Sequence, residues 1–118
     1  MDEQDMKRRT KEFALRALKL ADALPKNLGG KVIGGQLVRA ATSVAANYRA
    51  ACSARSGPDF RNKLAVCEAE SDESTFWIEL AAEAGLIPSK RFRELLDESN
   101  ALTAILVASR RTSARRRG

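Results

Sequence analysis

Three short interruptions in an otherwise helical pattern divide this chain of 118 residues into four segments of similar length. The first starts at Pro25, the second is Ser56-Gly57-Pro58-Asp59, and the third runs from Gly85 to Pro88. Proline disfavours helix at the preceding residue and suits the first turn of a new helix, whereas glycine ends helices. The pattern therefore predicts helices at about 5–23, 31–54, 58–85 and 89–109, followed by a basic tail at 110–118.

Between these breaks, apolar residues recur at the spacing of an α-helix, and no segment shows the alternation of a β-strand. Aromatic residues make up 5% of the chain, and glycine and proline lie mainly at the boundaries. Connections of a few residues place consecutive helices antiparallel to each other. We therefore predict an all-α protomer in which residues 1–109 form an antiparallel up-down-up-down four-helix bundle.

The fourth helix contains the sequence ALTAILVA at 101–108, which is apolar on nearly every face. An outer helix of a lone bundle usually keeps one polar face. Either this helix lies deep in the bundle, or Leu102, Ile105, Leu106 and Val107 also face another subunit. A chain this short buries only about two-thirds of its surface when it folds alone, which favours the second interpretation. The outer face of the first helix is a competing interface.

Positive charge is concentrated at the C-terminal end. The formal net charge is +6, but residues 1–109 hold 16 basic against 15 acidic residues and are nearly neutral. The remaining charge belongs to five arginines with no acid among them, namely Arg110, Arg111, Arg115, Arg116 and Arg117. Such a polycation suits contacts with phosphate groups, which depend on salt and not on base sequence. The alternative interpretation is a terminus that only aids solubility.

A second charge pattern concerns helices two and three. Positions 36, 39, 43 and 47 share one face of helix two, whereas the segment 64–87 of helix three carries acids and no basic residue. Folding helix three back on helix two sets Arg39 opposite Glu73. We predict a hydrogen-bonded polar seam between the two helices, while an exposed face and a ligand pocket remain open as alternatives. The predicted seam comprises Gln36, Arg39, Ser43, Asn47, Glu70 and Glu73.

The sequence offers little for catalysis. It contains no histidine, which excludes Ser-His-Asp and Cys-His arrangements, and the acids of helix three are more typical of ion-pair partners than of a metal site. We therefore expect no enzyme, no catalytic residue, no metal and no cofactor. Cys52 and Cys67 are expected to be reduced core residues. No run approaches the ~20 apolar residues of a membrane span, and the opening MDEQDMKRR is unlike a secretory signal, so we expect a cytoplasmic protein.

The middle of the chain resembles a known family. The matching pieces are Leu24-Pro25-Lys26, the run Gln36-Leu37-x-Arg39-Ala40-x-x-Ser43-Val44-x-x-Asn47-Tyr48, and a stretch from Glu73 to Ile87 that contains Trp77. They resemble the bacterial four helix bundle proteins, which are also described as proteins encoded in intervening sequences of 23S ribosomal RNA genes. The resemblance implies an antiparallel four-helix protomer, a homopentameric ring and no established enzymatic activity.

These observations give two functional hypotheses. The first is a non-enzymatic oligomeric scaffold that binds RNA or DNA through its basic surface and arginine tail. The second is a protein-interaction module that acts as accessory subunit to a partner such as a reverse transcriptase, as the resemblance to accessory proteins of diversity-generating retroelements implies. Membrane association is not expected under either hypothesis.

Overall fold

The computed structural model describes residues 1–116 and consists of four α-helices in sequence. They are α1 (Glu3–Ala23), α2 (Leu28–Cys52), α3 (Gly57–Glu83) and α4 (Ser89–Arg115). Helices α1 and α2, α2 and α3, and α3 and α4 pack along their lengths, and a smaller contact between α4 and α1 closes the bundle. The all-α fold and the up-down order of the helices are thus as the sequence predicts.

Local hydrogen bonds explain where the first three helices begin. Asp2 and Asp5 form a capping box, in which the Asp5 amide donates to Asp2 Oδ1 at 2.8 Å. Asn27 Oδ1 accepts from the Gly30 amide at 2.9 Å, so α2 begins at Leu28 and not at 31 as predicted. Ser56 caps α3 by accepting from the Asp59 amide at 3.2 Å. These side chains satisfy amides that a helix leaves without partners at its start.

Two glycines fit positions that other residues would not. A Cβ on Gly30 would lie 1.9 Å from the carbonyl oxygen of Pro25, so only glycine allows the connector to pass this closely to α2. Gly85 has a φ of 71° and follows the end of α3, in the left-handed conformation that glycine adopts without a steric penalty. The two residues fix the α1–α2 and α3–α4 connections.

The core runs along the bundle axis between the four helices. Among residues 1–116, the largest fully buried side chains include Phe13, Leu37, Leu64, Ile78, Leu102 and Leu106. Two of the four proposed oligomer-interface residues, Leu102 and Leu106, are therefore core residues of the protomer, and the sequence-based interpretation is wrong for them. Ile105 and Val107 are only partly buried. The apolar character of α4 reflects its deep packing against the other helices.

Helix α4 continues to Arg115, past the predicted end at residue 109. The extension is anchored to α3, because Arg61 Nη1 donates to the carbonyl oxygen of Ser113 at 3.2 Å and Arg110 pairs with Glu68. Most of the predicted basic tail is therefore the last part of a packed helix. Within the described residues, no helix is both long enough and apolar enough to span a membrane.

Candidate nucleic-acid interface and the polar contacts between helices

The structure places Arg39 of α2 between two acids of α3. Arg39 Nη1 donates to Glu70 Oε2 at 3.0 Å, and Nη2 pairs with Glu73 Oε2. Arg39 Nε also donates to Gln36 Oε1 at 3.1 Å, within α2. The Arg39 side chain is 48% exposed, so this cluster lies on the surface of the α2–α3 contact and not inside it.

Glu73 has a further partner on its own helix. The indole Nε1 of Trp77 donates to Glu73 Oε2 at 3.0 Å, and this bond lowers the pKa of Glu73, with Arg39 adding to the effect. The hydrogen bond to Glu73 also raises the pKa of Arg39, so both partners are favoured in their charged forms. The cluster joins α2 to α3 as a solvated ion-pair network, in which each exposed pair by itself contributes little to stability because solvent screens it.

The other two members of the predicted seam do not reach α3. Asn47 Nδ2 donates to the Ser43 carbonyl and to Ser43 Oγ, both at 2.9 Å, so these residues satisfy each other on α2. The predicted hydrogen-bonded contact between helices two and three is therefore confirmed for Arg39, Glu70 and Glu73, with Gln36 bonded to Arg39, and is wrong for Ser43 and Asn47.

A buried polar contact does exist, but between α3 and α4. Ser71 Oγ and Thr103 Oγ1 lie 2.6 Å apart, and Thr75 Oγ1 and Ser99 Oγ lie 2.7 Å apart. Ser99 Oγ donates to the Ser71 carbonyl at 3.2 Å, and Ser71 Oγ donates to the Ser99 carbonyl at 3.3 Å. Ser71 and Ser99 are fully buried. We call these four residues the hydroxyl cluster.

The contact between α3 and α4 was not predicted from the sequence. Ser99 and Thr103 are four residues apart, as are Ser71 and Thr75, which is the spacing of one face of a helix. The contacting pairs are Ser71 with Thr103 and Thr75 with Ser99. In each of these pairs the two position numbers sum to 174, as an antiparallel register requires. A search for small polar residues at matching spacing on neighbouring helices would have found this contact.

The arginines proposed for nucleic-acid binding have different surroundings. Arg110 is held by Glu68 of α3 through Nε and Nη2, and this hydrogen bonding raises the pKa of Arg110. Arg111, Arg115 and Arg116 are exposed, and no ion pair to any of them is found within residues 1–116. Arg117 lies outside the described residues. The candidate interface is therefore Arg111, Arg115 and Arg116, which we call the C-terminal arginine surface.

Arg111 and Arg115 are four residues apart on α4, so they lie on the same face and about 6 Å apart along the helix axis. Cations at this end also complement the negative pole of the helix dipole. The dipole stabilises the exposed arginines without binding their guanidinium groups. Their hydrogen-bond donors thus face solvent, where a phosphate can reach them.

Comparison with known proteins identifies the family. The model of the 23S rRNA-intervening sequence proteins matches residues 2–108. The chain belongs to this family. It is also similar to the crystal structure of a protein of unknown function from the S23 ribosomal protein family of Bacteroides thetaiotaomicron, with 29% identity and a TM-score of 0.87. That match covers 94% of this chain and 99% of the other. No curated protein matches this chain.

The family match confirms the resemblance noted in the sequence, and it covers all four helices up to residue 108. The C-terminal arginine surface lies beyond that range. The 23S rRNA-intervening sequence family therefore accounts for the bundle, while any role of these arginines has to be argued from this chain itself.

Proposed function

We propose that this protein is a non-enzymatic oligomeric scaffold that binds RNA or DNA through the C-terminal arginine surface. The observation that carries the proposal is the exposure of Arg111, Arg115 and Arg116 on a helix that is anchored to α3 by Arg110 and Arg61. An anchored helix fixes the backbone from which these side chains extend, and guanidinium groups match phosphate in geometry and charge.

The test is the affinity for a fluorescein-labelled RNA of mixed sequence, measured by anisotropy over a series of salt concentrations. Replacing Arg111, Arg115 and Arg116 with glutamine removes up to three phosphate contacts. Each contact contributes about 0.7 to the slope of log affinity against log salt for a single strand, so the slope should become shallower by about 2. The matched control replaces three lysines at the other end of the bundle, Lys26, Lys31 and Lys90, with glutamine. It should leave the slope of log affinity against log salt nearly unchanged.

We further propose that the scaffold is a homopentameric ring in the cytoplasm. The resemblance to the four helix bundle proteins implies the ring, and exposed apolar side chains on α1 and α2 support self-association, with Leu15 51% exposed and Leu28 81% exposed. Both cysteines of the chain are free thiols, as is usual in a reducing compartment. Light scattering on the full-length protein should give a mass near five protomers of 12.9 kDa, and a monomer would refute the ring.

A second candidate function is supported by Phe76, which is 52% exposed on α3 and packs edge-on against Trp77. Exposed aromatic side chains are typical of protein interfaces. The exposure of Phe76 favours a function as an accessory subunit that binds a protein partner such as a reverse transcriptase. Under this hypothesis Phe76→Ala abolishes binding of the purified partner, whereas the arginine-to-glutamine variant retains it.

A further inference from the structure

A groove between α1 and α2 has a more positively charged lining than four other grooves of the described surface. It has a volume of about 560 Å³ and is lined by four cations, namely Lys7, Arg8 and Lys11 from α1 and Arg49 from α2. The remaining lining residues are Gln4, Ala14, Thr42, Ala45 and Ala46. We call this feature the α1–α2 groove. None of its lining residues is acidic.

Four other grooves on the described surface each include at least one acid. Asp2 and Glu3 line the first, Asp22 the second, Glu94 the third, and Glu79 and Glu83 the fourth. In a protein whose first 109 residues are nearly neutral, a groove with four cations and no acid is a local concentration of positive charge. Such a groove raises the local concentration of anions.

Three of the four cations are available to a ligand. Within the described residues, no ion pair is found for Lys7, Lys11 or Arg49. Arg8 Nη1 lies 3.2 Å from Asp5 Oδ1, but the Arg8 side chain is 63% exposed and the pair is a weak surface contact. A phosphate can therefore bind without first breaking a strong salt bridge.

The floor of the groove suits a sugar-phosphate chain. Ala14, Ala45 and Ala46 present methyl groups, and the hydroxyl of Thr42 is already bonded to the Val38 carbonyl at 2.7 Å. The floor thus offers small apolar contacts, while the walls offer cations. Lys7 and Lys11 are one helical turn apart, about 6 Å along the axis, so both side chains can contact the same phosphate chain.

We propose that the α1–α2 groove binds the phosphate backbone of a nucleic-acid strand, as a second contact separate from the C-terminal arginine surface. The inference rests on the proposed function, because it assigns a further site to the same ligand. The antiparallel order places the beginning of α1 and the end of α4 at the same end of the bundle. Both cationic sites therefore lie in the same half of the molecule, and one polyanion can contact both.

The test uses full-length protein, the fluorescein-labelled mixed-sequence RNA and a salt series. The variant Lys11→Gln/Arg49→Gln removes one cation from each wall, and Lys90→Gln/Arg91→Gln is the control, with the same loss of one exposed lysine and one exposed arginine at the other end. The groove variant should weaken binding about 10-fold at low salt. Its slope of log affinity against log salt should be shallower by about 1.4, at about 0.7 for each of the two cations removed, while the control changes neither the affinity nor the slope appreciably.

The outcomes separate the two proposals. If the unaltered protein does not bind RNA, the proposed function fails. If the unaltered protein binds RNA but the groove variant matches its control, the proposed function stands and the inference about the groove is wrong. Binding to vesicles that contain phosphatidylserine and to an acidic peptide is measured in parallel. If the groove variant loses binding to either of these but keeps its RNA affinity, the inference is also wrong. Unchanged circular dichroism and melting temperature establish that the variants are folded.

Discussion

The hydroxyl cluster between α3 and α4 gives the sharpest prediction about stability. Its four hydroxyl groups have four protons between them, which can form two hydroxyl–hydroxyl bonds and two bonds to the carbonyls of Ser71 and Ser99. Every proton of the cluster thus has an acceptor. The two halves of the cluster are equivalent, because in each half the serine hydroxyl bonds to the carbonyl of the facing helix and the threonine hydroxyl lies within reach of a carbonyl of its own helix.

Ser71→Ala removes two contacts of the cluster, those to Thr103 Oγ1 and to the Ser99 carbonyl. At about 1 kcal/mol net for each hydrogen bond, the free energy of unfolding should fall by about 1 to 2 kcal/mol. Thr103→Val keeps the shape of the side chain and removes only its hydroxyl. Thr103 Oγ1 lies on the partly buried side of the cluster, so we expect this variant to cost about 1 kcal/mol.

The two changes remove the same hydroxyl–hydroxyl bond, so their effects should not add. We expect a coupling energy of about 0.5 to 1 kcal/mol in a double-mutant cycle, measured by urea unfolding. The control is Thr42→Val on α2, because the Thr42 hydroxyl bonds only to carbonyls of its own helix, and it should change stability by under about 0.5 kcal/mol. A coupling energy of zero, or a loss from Ser71→Ala no larger than that of the control, would refute the cluster as an interhelical contact.

Three further predictions concern packing, ion pairing and pH. Gly30→Ala should lower the free energy of unfolding in urea by about 3 kcal/mol or more, because the added Cβ would collide with the Pro25 carbonyl. The control Gly35→Ala should be neutral or stabilising, because its Cβ meets nothing within 4 Å. Equal losses in the two variants would contradict this account. Glu98→Gln removes the negative charge and one of the two oxygens that accept the 2.7 Å bonds from Arg9, and it should cost under about 1 kcal/mol, with the loss shrinking at high salt. A loss that does not change with salt would count against an ion pair that is partly exposed. Burial raises the pKa of Cys67 to about 12, so its thiol stays protonated in the folded protein. In the unfolded chain the same thiol ionises near its ordinary pKa of 9.0. The free energy of unfolding should therefore fall as the pH rises from about 9 towards 12. In Cys67→Ala this part of the pH dependence should be absent from thermal melts, and an unchanged profile would assign it to other groups.

The fold could be predicted because its signals are local. Proline and glycine mark the connections, and helical spacing of apolar residues marks the faces that are buried, as for Phe13 and Leu37. The predicted helix boundaries were less accurate where a side chain on another helix determines how far a helix extends. The end of α4 depends on Arg61 and Glu68 of α3, which no property of residues 110–115 reveals.

The polar contacts were harder to predict, because a helical face can be paired with either neighbour. The antiparallel register correctly set Arg39 beside Glu70 and Glu73, but it did not show that this pair lies at the surface. The hydrogen-bond partners of Ser71 on α3, for example, are on α4 and not on α2. The α1–α2 groove was missed for a related reason, since its cations come from two helices and only packing brings them together.

The most direct test of the central claim is the salt dependence of RNA binding by the unaltered full-length protein, measured by fluorescence anisotropy. If the C-terminal arginine surface and the α1–α2 groove both contact phosphates, log affinity should fall linearly with log salt, with a slope of about −3 or steeper. Absence of binding at low salt, or an affinity that does not depend on salt, would contradict a scaffold that holds nucleic acid through its basic surface.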